Sequence, residues 1–166
     1  MNDSKFYRAP WSKILIVSSV LATVLVLGIA LGSLLIPMPH LGWAISFGLR
    51  WPLLATVPGA ALFIVRGYAI TPDAVFVVRP FWRTRLPRQG LQSVGVEPGA
   101  MSGSLRLCGN GGFFSFTGLF SNKRLGRYRA FVTDPELTVV LRYEGRTVVL
   151  SPERPEEFVR ELRETS

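Results

Sequence analysis

The hydrophobic pattern divides the chain into an apolar N-terminal part and a β-rich remainder. Residues 14–36 are 23 consecutive uncharged residues rich in Leu, Ile and Val. A helix of that length rises about 35 Å, enough to cross the roughly 30 Å hydrocarbon core of a bilayer. A secretory signal peptide is the alternative, but its apolar region is normally about 7–15 residues long and ends at a small-x-small cleavage site. The stretch therefore predicts a first transmembrane helix.

A second apolar stretch, residues 43–65, predicts a second transmembrane helix. The segment between the two stretches, residues 37–42, contains two prolines and is too short for a folded domain. We therefore expect a tight hairpin of two helices joined by a short external loop. Pro52 and Pro58 predict that the second helix is bent.

Arg50 interrupts the second apolar stretch and allows two interpretations. It is either an ion or substrate site inside the bilayer, or an anchor whose side chain snorkels to the headgroups. Its position about 15 residues before Arg66 places it near the far edge of the hydrocarbon at helical rise, which favours the anchor.

Basic residues precede the first apolar stretch and follow the second, so a hairpin would place both groups on the same side of the membrane. Lys5, Arg8 and Lys13 precede the first stretch, and several arginines follow the second from Arg66 onward. The positive-inside rule then places both termini in the cytoplasm of a multi-pass inner-membrane protein. Residues 1–13 are expected to form a cytoplasmic tail and residues 66–166 a cytoplasmic domain. The single cysteine, Cys108, is expected to be a reduced, buried thiol.

Short runs of β-type residues separated by turn signals follow the apolar part. They predict strands at residues 74–79, 81–86, 91–96, 104–108, 127–132, 138–143 and 147–151, with residues 113–120 either a bulged strand or an irregular loop. A final helix is predicted from Pro155, with acidic residues in its first turn and an apolar stripe of Phe158, Val159 and Leu162. The predicted fold is an all-β barrel of about seven strands capped by a C-terminal α-helix.

Several short motifs in this β-rich part occur in a recognisable order. They are YAITPD at residues 68–73, Leu86-Pro87 with Leu91 and Val94, Gly118-Leu119-Phe120, Leu125-Gly126, VLSP at 149–152 and PEEF at 155–158. Together with the two apolar stretches, they resemble the bacterial pleckstrin-homology (PH) domain families of small membrane proteins. The resemblance implies a seven-stranded barrel with a C-terminal helix and a non-enzymatic role in binding or assembly.

Charge is concentrated in the β-rich part. The whole chain has a formal net charge of +8, and residues 66–142 carry eleven Lys and Arg against four acids. Two clusters stand out: Arg79, Arg83, Arg85 and Arg88, and then Lys123, Arg124, Arg127 and Arg129. A Lys or Arg held beside an anionic leaflet contributes roughly 1 kcal/mol to membrane attraction.

The basic clusters predict a face that binds lipid headgroups. The predicted headgroup-binding residues are Arg79, Arg83, Arg85, Arg88, Lys123, Arg124 and Arg127. The spacing of Arg79, Arg83 and Arg85 is similar to the basic signature of phosphoinositide-binding PH domains, in which the first position is Lys. The alternative is a positive flank that only fixes topology.

Other classes of function find little support in the sequence. Glu157 and Glu161 are spaced like a carboxylate pair, but interleaved arginines make this a solvated helix face. One Cys and one His provide too few ligands for a zinc site, so we expect no metal, no cofactor and no enzymatic activity. Nucleic-acid binding is not expected either, because the basic residues lie beside a membrane without a stacking platform.

An aromatic run suggests a second kind of partner. Phe113, Phe114, Phe116 and Phe120 either belong to the core or, if exposed, dock a membrane-protein partner or a second copy. The alternative function is accordingly a protein–protein interaction or homo-oligomerisation scaffold at the inner membrane.

Overall fold

The computed structural model describes residues 5–35 and 43–164. Two helices, α1 at Lys13–Leu35 and α2 at Trp43–Ala61, contact each other. Among the described residues only α1, over Lys13–Ser33, is long and apolar enough to cross a membrane. Arg50 and two internal prolines lower the mean hydropathy of α2. The structure thus supports one of the two predicted spans by length and composition; the loop predicted at 37–42 and the Arg50 side chain lie outside the described part.

The strands come both before and after the two helices in the chain. β1 is Lys5–Arg8; after α2 come β2 Gly67–Ile70, β3 Ala74–Val78, β4 Arg83–Pro87, β5 Leu91–Val96, β6 Leu105–Gly111, β7 Phe116–Asn122, β8 Gly126–Val132, β9 Val139–Tyr143 and β10 Arg146–Leu150. A third helix, α3, is Pro155–Glu164. β1 falls within the expected tail and pairs antiparallel with β2, from Lys5 opposite Ile70 to Arg8 opposite Gly67.

The strands form two sheets instead of one closed barrel. The first sheet has the order β1-β2-β3-β4, and the second has the order β5-β9-β10-β8-β7-β6. All described pairings are antiparallel except that of β8 with β10. The expected barrel is therefore corrected to a PH-like β-sandwich with a C-terminal helix, in which the outer strands of each sheet pair on one side only among the described strands.

Alternation along β8, β9 and β10 gives the second sheet an apolar side chain on both faces. One face, with Phe131, Leu141 and Leu150, packs in the main core together with Tyr7 of β1. The other face packs in a smaller core covered by Ala100 and Met101, which belong to the β5–β6 connection. The central strands of the second sheet are therefore buried on both faces.

The predicted C-terminal helix is confirmed as α3. Phe158, Val159 and Leu162 are buried in the main core, as the apolar stripe predicted. The Tyr7 and Phe158 rings meet edge to face at 5.1 Å. Lys5 pairs with Glu157 and Glu161 of α3 at 3.0 and 2.9 Å, so α3 fastens the N-terminal strand to the domain.

The expectation of a buried cysteine is wrong. Cys108 is exposed, because β6 forms an edge of the second sheet and pairs only with β7 among the described strands. Leu105 and Leu107 of the same strand are 73% and 47% exposed. β7 begins at Phe116, so the first part of the aromatic run is a turn.

Candidate functional site

The turn between β6 and β7, residues Gly112–Ser115, is held between the two N-terminal helices. The Ser18 hydroxyl of α1 donates to the Gly112 carbonyl at 2.9 Å. The Phe114 N–H donates to the Ser19 hydroxyl of α1, also at 2.9 Å. The Ser115 hydroxyl donates to the carbonyl of Phe63, just past the end of α2, at 3.3 Å. This β6–β7 turn therefore contacts α1 five to six residues after the helix begins at Lys13, which is more than one turn of the helix.

Local chemistry fixes the shape of this β6–β7 turn. The Asn110 side chain accepts from the Phe113 N–H at 3.0 Å and donates to the Phe113 carbonyl. Phe114 has a φ of 64°, a left-handed conformation that is uncommon outside glycine and asparagine. The Phe113 and Phe114 rings stack with centroids 4.5 Å apart. The aromatic pair is thereby presented as one unit beside α1.

A second contact joins the sheet to the start of α1. The Ser12 N–H donates to the carbonyl of Thr133, directly after β8, at 3.2 Å. The Ser12 hydroxyl accepts from the Leu15 N–H at 3.2 Å and so caps α1. The start of β7 and the end of β8 are thus the helix-proximal ends of their strands. The β7–β8 turn lies at the other end, about 20 Å away along strands of seven residues.

A cleft of about 630 Å³ opens between the end of α2 and this helix-proximal part of the second sheet. Gly59, Ala60 and Phe63 line it from the α2 side. Three arginines from three different strands or strand ends line it from the domain side: Arg79, Arg106 and Arg129. None of the lining residues is acidic.

Arg79 is the most enclosed of the three arginines, at 7% exposure. Its guanidinium lies 5.8, 5.6 and 5.2 Å from the ring centroids of Phe63, Trp82 and Phe131. Burial lowers the pKa of Arg79, and the charge of Arg129 lowers it further. Its Nε has no hydrogen-bond partner within the described part of the chain. Burying a guanidinium whose N–H lacks an acceptor costs free energy, and a bound ligand that accepts from Arg79 Nε would remove that cost.

Arg129 adds a second positive charge on the same aromatic surface. Its guanidinium lies 5.0 Å from the Phe131 ring centroid, and that of Arg79 lies 5.2 Å from the same centroid. Among the described ion pairs, no carboxylate bonds to Arg79, Arg106 or Arg129. Three guanidinium groups without a counterion favour a bound anion, and their planar forks suit phosphate oxygens in particular.

Glycines allow the floor of the cleft to form. Gly109 of β6 and Gly118 of β7 pair directly, and both have positive φ values, 105° and 142°. A Cβ at Gly118 would lie 2.2 Å from the Cys108 carbonyl oxygen, and one at Gly109 would lie 2.4 Å from the Thr117 carbonyl oxygen. Any side chain here would push β6 and β7 apart.

The structure separates the predicted headgroup-binding residues. Arg79 alone lines the cleft. Arg83 and Arg85 are exposed on β4. Arg88 donates to the carbonyls of Thr71 and Leu162, and so ties the β4–β5 turn to α3.

The second predicted cluster lies at the helix-distal end of the sheet. Lys123 and Arg124 belong to the β7–β8 turn, and Arg124 pairs with Glu97 at 2.8 Å. Arg127 is exposed at the start of β8. These positions lie far along the strands from the cleft.

The predicted aromatic docking set divides in the same way. Phe113 and Phe114 are half-buried in the β6–β7 turn. Phe116 packs against the smaller core, and Phe120, at 4% exposure, is part of it. Only the first two remain at the helix-proximal surface.

Sequence reasoning missed Arg106 and did not assign Arg129 to the site. These two residues line the same cleft as Arg79 only because β6, β7 and β8 pair side by side in the second sheet. The excess of Lys and Arg over acids in residues 66–142 was the one sequence signal for a basic site. It did not identify which arginines line one cleft.

Comparison with known proteins identifies a family for residues 66–166. No curated protein and no solved structure matches the chain significantly. The family described as bacterial PH domain matches residues 66–166, which is more than half of the chain. PH domains generally serve as non-catalytic modules that bind lipids or proteins, and the two-sheet fold with a C-terminal helix agrees with this family. The chain belongs to the bacterial PH domain family.

Proposed function

We propose that this protein is a membrane-anchored, non-enzymatic binding module whose cleft takes the phosphate of an anionic lipid headgroup. The observation that carries the proposal is the convergence of Arg79, Arg106 and Arg129 beside the end of α2, without an acidic residue in the lining. Phe63 and Ala60 give the same cleft an apolar side, which suits a ligand that is charged at one end and apolar at the other.

The proposed membrane topology is a hairpin of α1 and α2 with both termini in the cytoplasm. Support comes from the apolar character of α1, its contact with α2, and the basic residues on the flanks. In this arrangement residues 66–166 form the cytoplasmic domain of an inner-membrane protein, and the cleft faces the headgroups.

Aromatic side chains support that placement. Phe81, at the tip of the β3–β4 turn, is 78% exposed, and its neighbour Trp82 meets Phe63 edge to face at 5.4 Å. The stacked pair of Phe113 and Phe114 lies beside α1 on the level of Ser18 and Ser19. Aromatic rings favour the membrane–water interface, so both turns are expected to seat the domain there.

Lipid binding by the full chain tests this function. The protein is placed in detergent micelles and titrated with phosphatidylglycerol or phosphatidylcholine, and bound lipids are counted by native mass spectrometry. We expect preferential retention of phosphatidylglycerol, and a loss of that preference in the double variant Arg106→Gln, Arg129→Gln. The matched control is Arg154→Gln, Arg160→Gln, which removes two exposed charges on or beside α3. Equal retention by both double variants would refute the headgroup site.

The scaffold function remains a second candidate because β6 is an exposed edge strand. Leu105 and Leu107 offer apolar side chains along a strand edge that no other described strand pairs with, which is a common basis for strand addition. If two copies pair through β6, Cys108 is expected to form a disulfide-linked dimer under mild oxidation in membranes. A monomer under those conditions argues against pairing through this edge.

A further inference from the structure

A second basic groove, separate in most of its residues from the cleft, lies between the two sheets. It has a volume of about 460 Å³ and is bounded by β4 on one side and by β7, β8 and the first half of β10 on the other. Four arginines line it: Arg85, Arg127, Arg129 and Arg146. No lining residue is acidic.

The four arginines have no ionic partner within the described residues. Two of them rest on aromatic rings, Arg146 at 4.5 Å from the Tyr143 centroid and Arg129 at 5.0 Å from that of Phe131. Ring stacking restricts these side chains before any ligand arrives, so less conformational entropy is lost on binding. Outside the groove, Arg124 and Arg142 both pair with Glu97. The groove arginines thus differ from these two, whose charge is balanced by an acidic residue of the chain itself.

The backbone of β4 adds a directional feature to the groove. β4 pairs only with β3 among the described strands. The Arg79 N–H donates to the Trp82 carbonyl and the Arg88 N–H to the Asp73 carbonyl. Antiparallel strands alternate their bonding direction, so Arg83 and Arg85 direct their backbone N–H and C=O groups away from β3. The groove thus has an open strand edge along one wall.

The position of the groove argues against a bilayer as its ligand. Arg127 lies five residues before Val132, at the end of β8 that meets α1, or about 17 Å along the strand. Thr147, next to Arg146, pairs with Tyr128 at the same distal end. A headgroup layer at the helix-proximal end therefore does not extend to these two arginines.

We infer that this groove binds an extended, acidic segment of a partner protein, which adds as a strand to the open edge of β4. Strand addition supplies backbone hydrogen bonds at Arg83 and Arg85, and alternate acidic side chains of the segment meet the arginines. Charge complementarity gives the interaction a marked dependence on salt.

The test uses a ten-residue peptide of alternating Glu and Val and the full chain in nanodiscs of phosphatidylcholine, a lipid with no net charge. Fluorescence anisotropy is expected to show binding that weakens as salt rises. The triple variant Arg85→Gln, Arg127→Gln, Arg146→Gln is expected to weaken it by about tenfold, which corresponds to about 1.4 kcal/mol for the three lost pairs together. A charge-matched control, Arg124→Gln, Arg154→Gln, Arg160→Gln, keeps the affinity of the unaltered chain.

Two further measurements separate strand addition from plain charge attraction. Arg85→Pro removes the outward N–H from an edge position and is expected to bind the peptide more weakly than Arg85→Gln. Hydrogen exchange at the Arg85 amide is expected to slow when the peptide is added, a readout that does not depend on the folding of a variant.

Any of three results would overturn the inference. The two triple variants could bind the peptide equally well, hydrogen exchange at the Arg85 amide could stay unchanged, or phosphatidylglycerol vesicles could displace the peptide from these arginines. The outcome is independent of the lipid site, because Arg106→Gln is expected to impair lipid retention and leave peptide binding intact. Arg129, which lines both sites, is left unaltered in the peptide experiment.

Discussion

Tyr68 illustrates how one hydroxyl joins the two sheets. The side chain is fully buried on β2, and its hydroxyl donates to the Phe131 carbonyl at 2.6 Å and accepts from the Ser151 N–H at 3.0 Å. Both partners belong to the second sheet or its end. Burial raises the pKa of Tyr68 to about 12. This single group therefore satisfies two backbone groups that water does not reach.

Replacing Tyr68 by Phe is expected to reduce the free energy of unfolding by about 1–3 kcal/mol, because the Phe131 carbonyl and Ser151 N–H lose a buried partner. Denaturation of the full chain in detergent, followed by circular dichroism, measures the change. Tyr143→Phe is the matched control, since its buried hydroxyl has no hydrogen-bond partner among the described residues. Equal losses for the two variants would contradict this role of Tyr68.

The same residue predicts a loss of stability at alkaline pH. The folded chain keeps Tyr68 neutral up to about pH 12, whereas an unfolded tyrosine loses its proton near pH 10. The Tyr68 contribution is therefore complete below pH 10 and decreases between pH 10 and pH 12, by about 1.4 kcal/mol per pH unit. Denaturation curves at pH 9 and pH 11 test this. Tyr68→Phe should reduce the decrease without abolishing it, because burial also raises the pKa of Tyr143.

At the scale of elements, β1 shows how a segment before the apolar helices completes the domain. Gly67 of β2 faces Arg8 across the β1–β2 pair, and a Cβ at Gly67 would lie 2.4 Å from both the Phe6 ring and the Tyr7 carbonyl oxygen. Tyr7 itself is buried in the main core. The close approach of β1 to β2 thus requires glycine at residue 67.

Gly67→Ala is expected to displace β1 and reduce the free energy of unfolding by about 1–3 kcal/mol. Limited proteolysis should then cleave the N-terminal segment sooner than in the unaltered chain. Gly95→Ala in β5 is the matched control, because nothing lies within 4 Å of a Cβ there. If both variants resist proteolysis equally, the steric argument fails.

At the scale of the whole molecule, the exposed Cys108 provides a test of topology without any added residue. The thiol is the only one in the sequence and lies on the open face of β6. If residues 66–166 are cytoplasmic, a membrane-impermeant maleimide should leave Cys108 unmodified in intact cells. The same reagent should label it in inverted membrane vesicles, as read by mass spectrometry. Labelling in intact cells would place the domain on the opposite side.

The contacts between helices and sheet also bear on the whole molecule. Ser12, Ser18 and Ser19 bind backbone groups of the domain, so α1 leaves the domain in a fixed direction. This connection holds the cleft at the base of the helices. It is the geometric basis for the two proposals, that a lipid headgroup binds in the cleft and that a protein segment binds in the distal groove.

The amino-acid sequence determined the features that depend on local pattern. The apolar run of α1, most strands, the C-terminal helix and its buried stripe all follow from periodicity and length, and the order of short motifs indicated the family. Arg79 belongs to a dense basic cluster of the sequence and lines the cleft, and its role in headgroup binding stays a prediction.

Only the tertiary structure decided which residues meet. The pairing of β1 with β2, the two-sheet sandwich and the exposed Cys108 depend on contacts between residues distant in the chain, as does the placement of Arg106 and Arg129 around the same cleft as Arg79. Local propensity carries no information about such contacts, because each is selected by the packing of the two sheets as a whole.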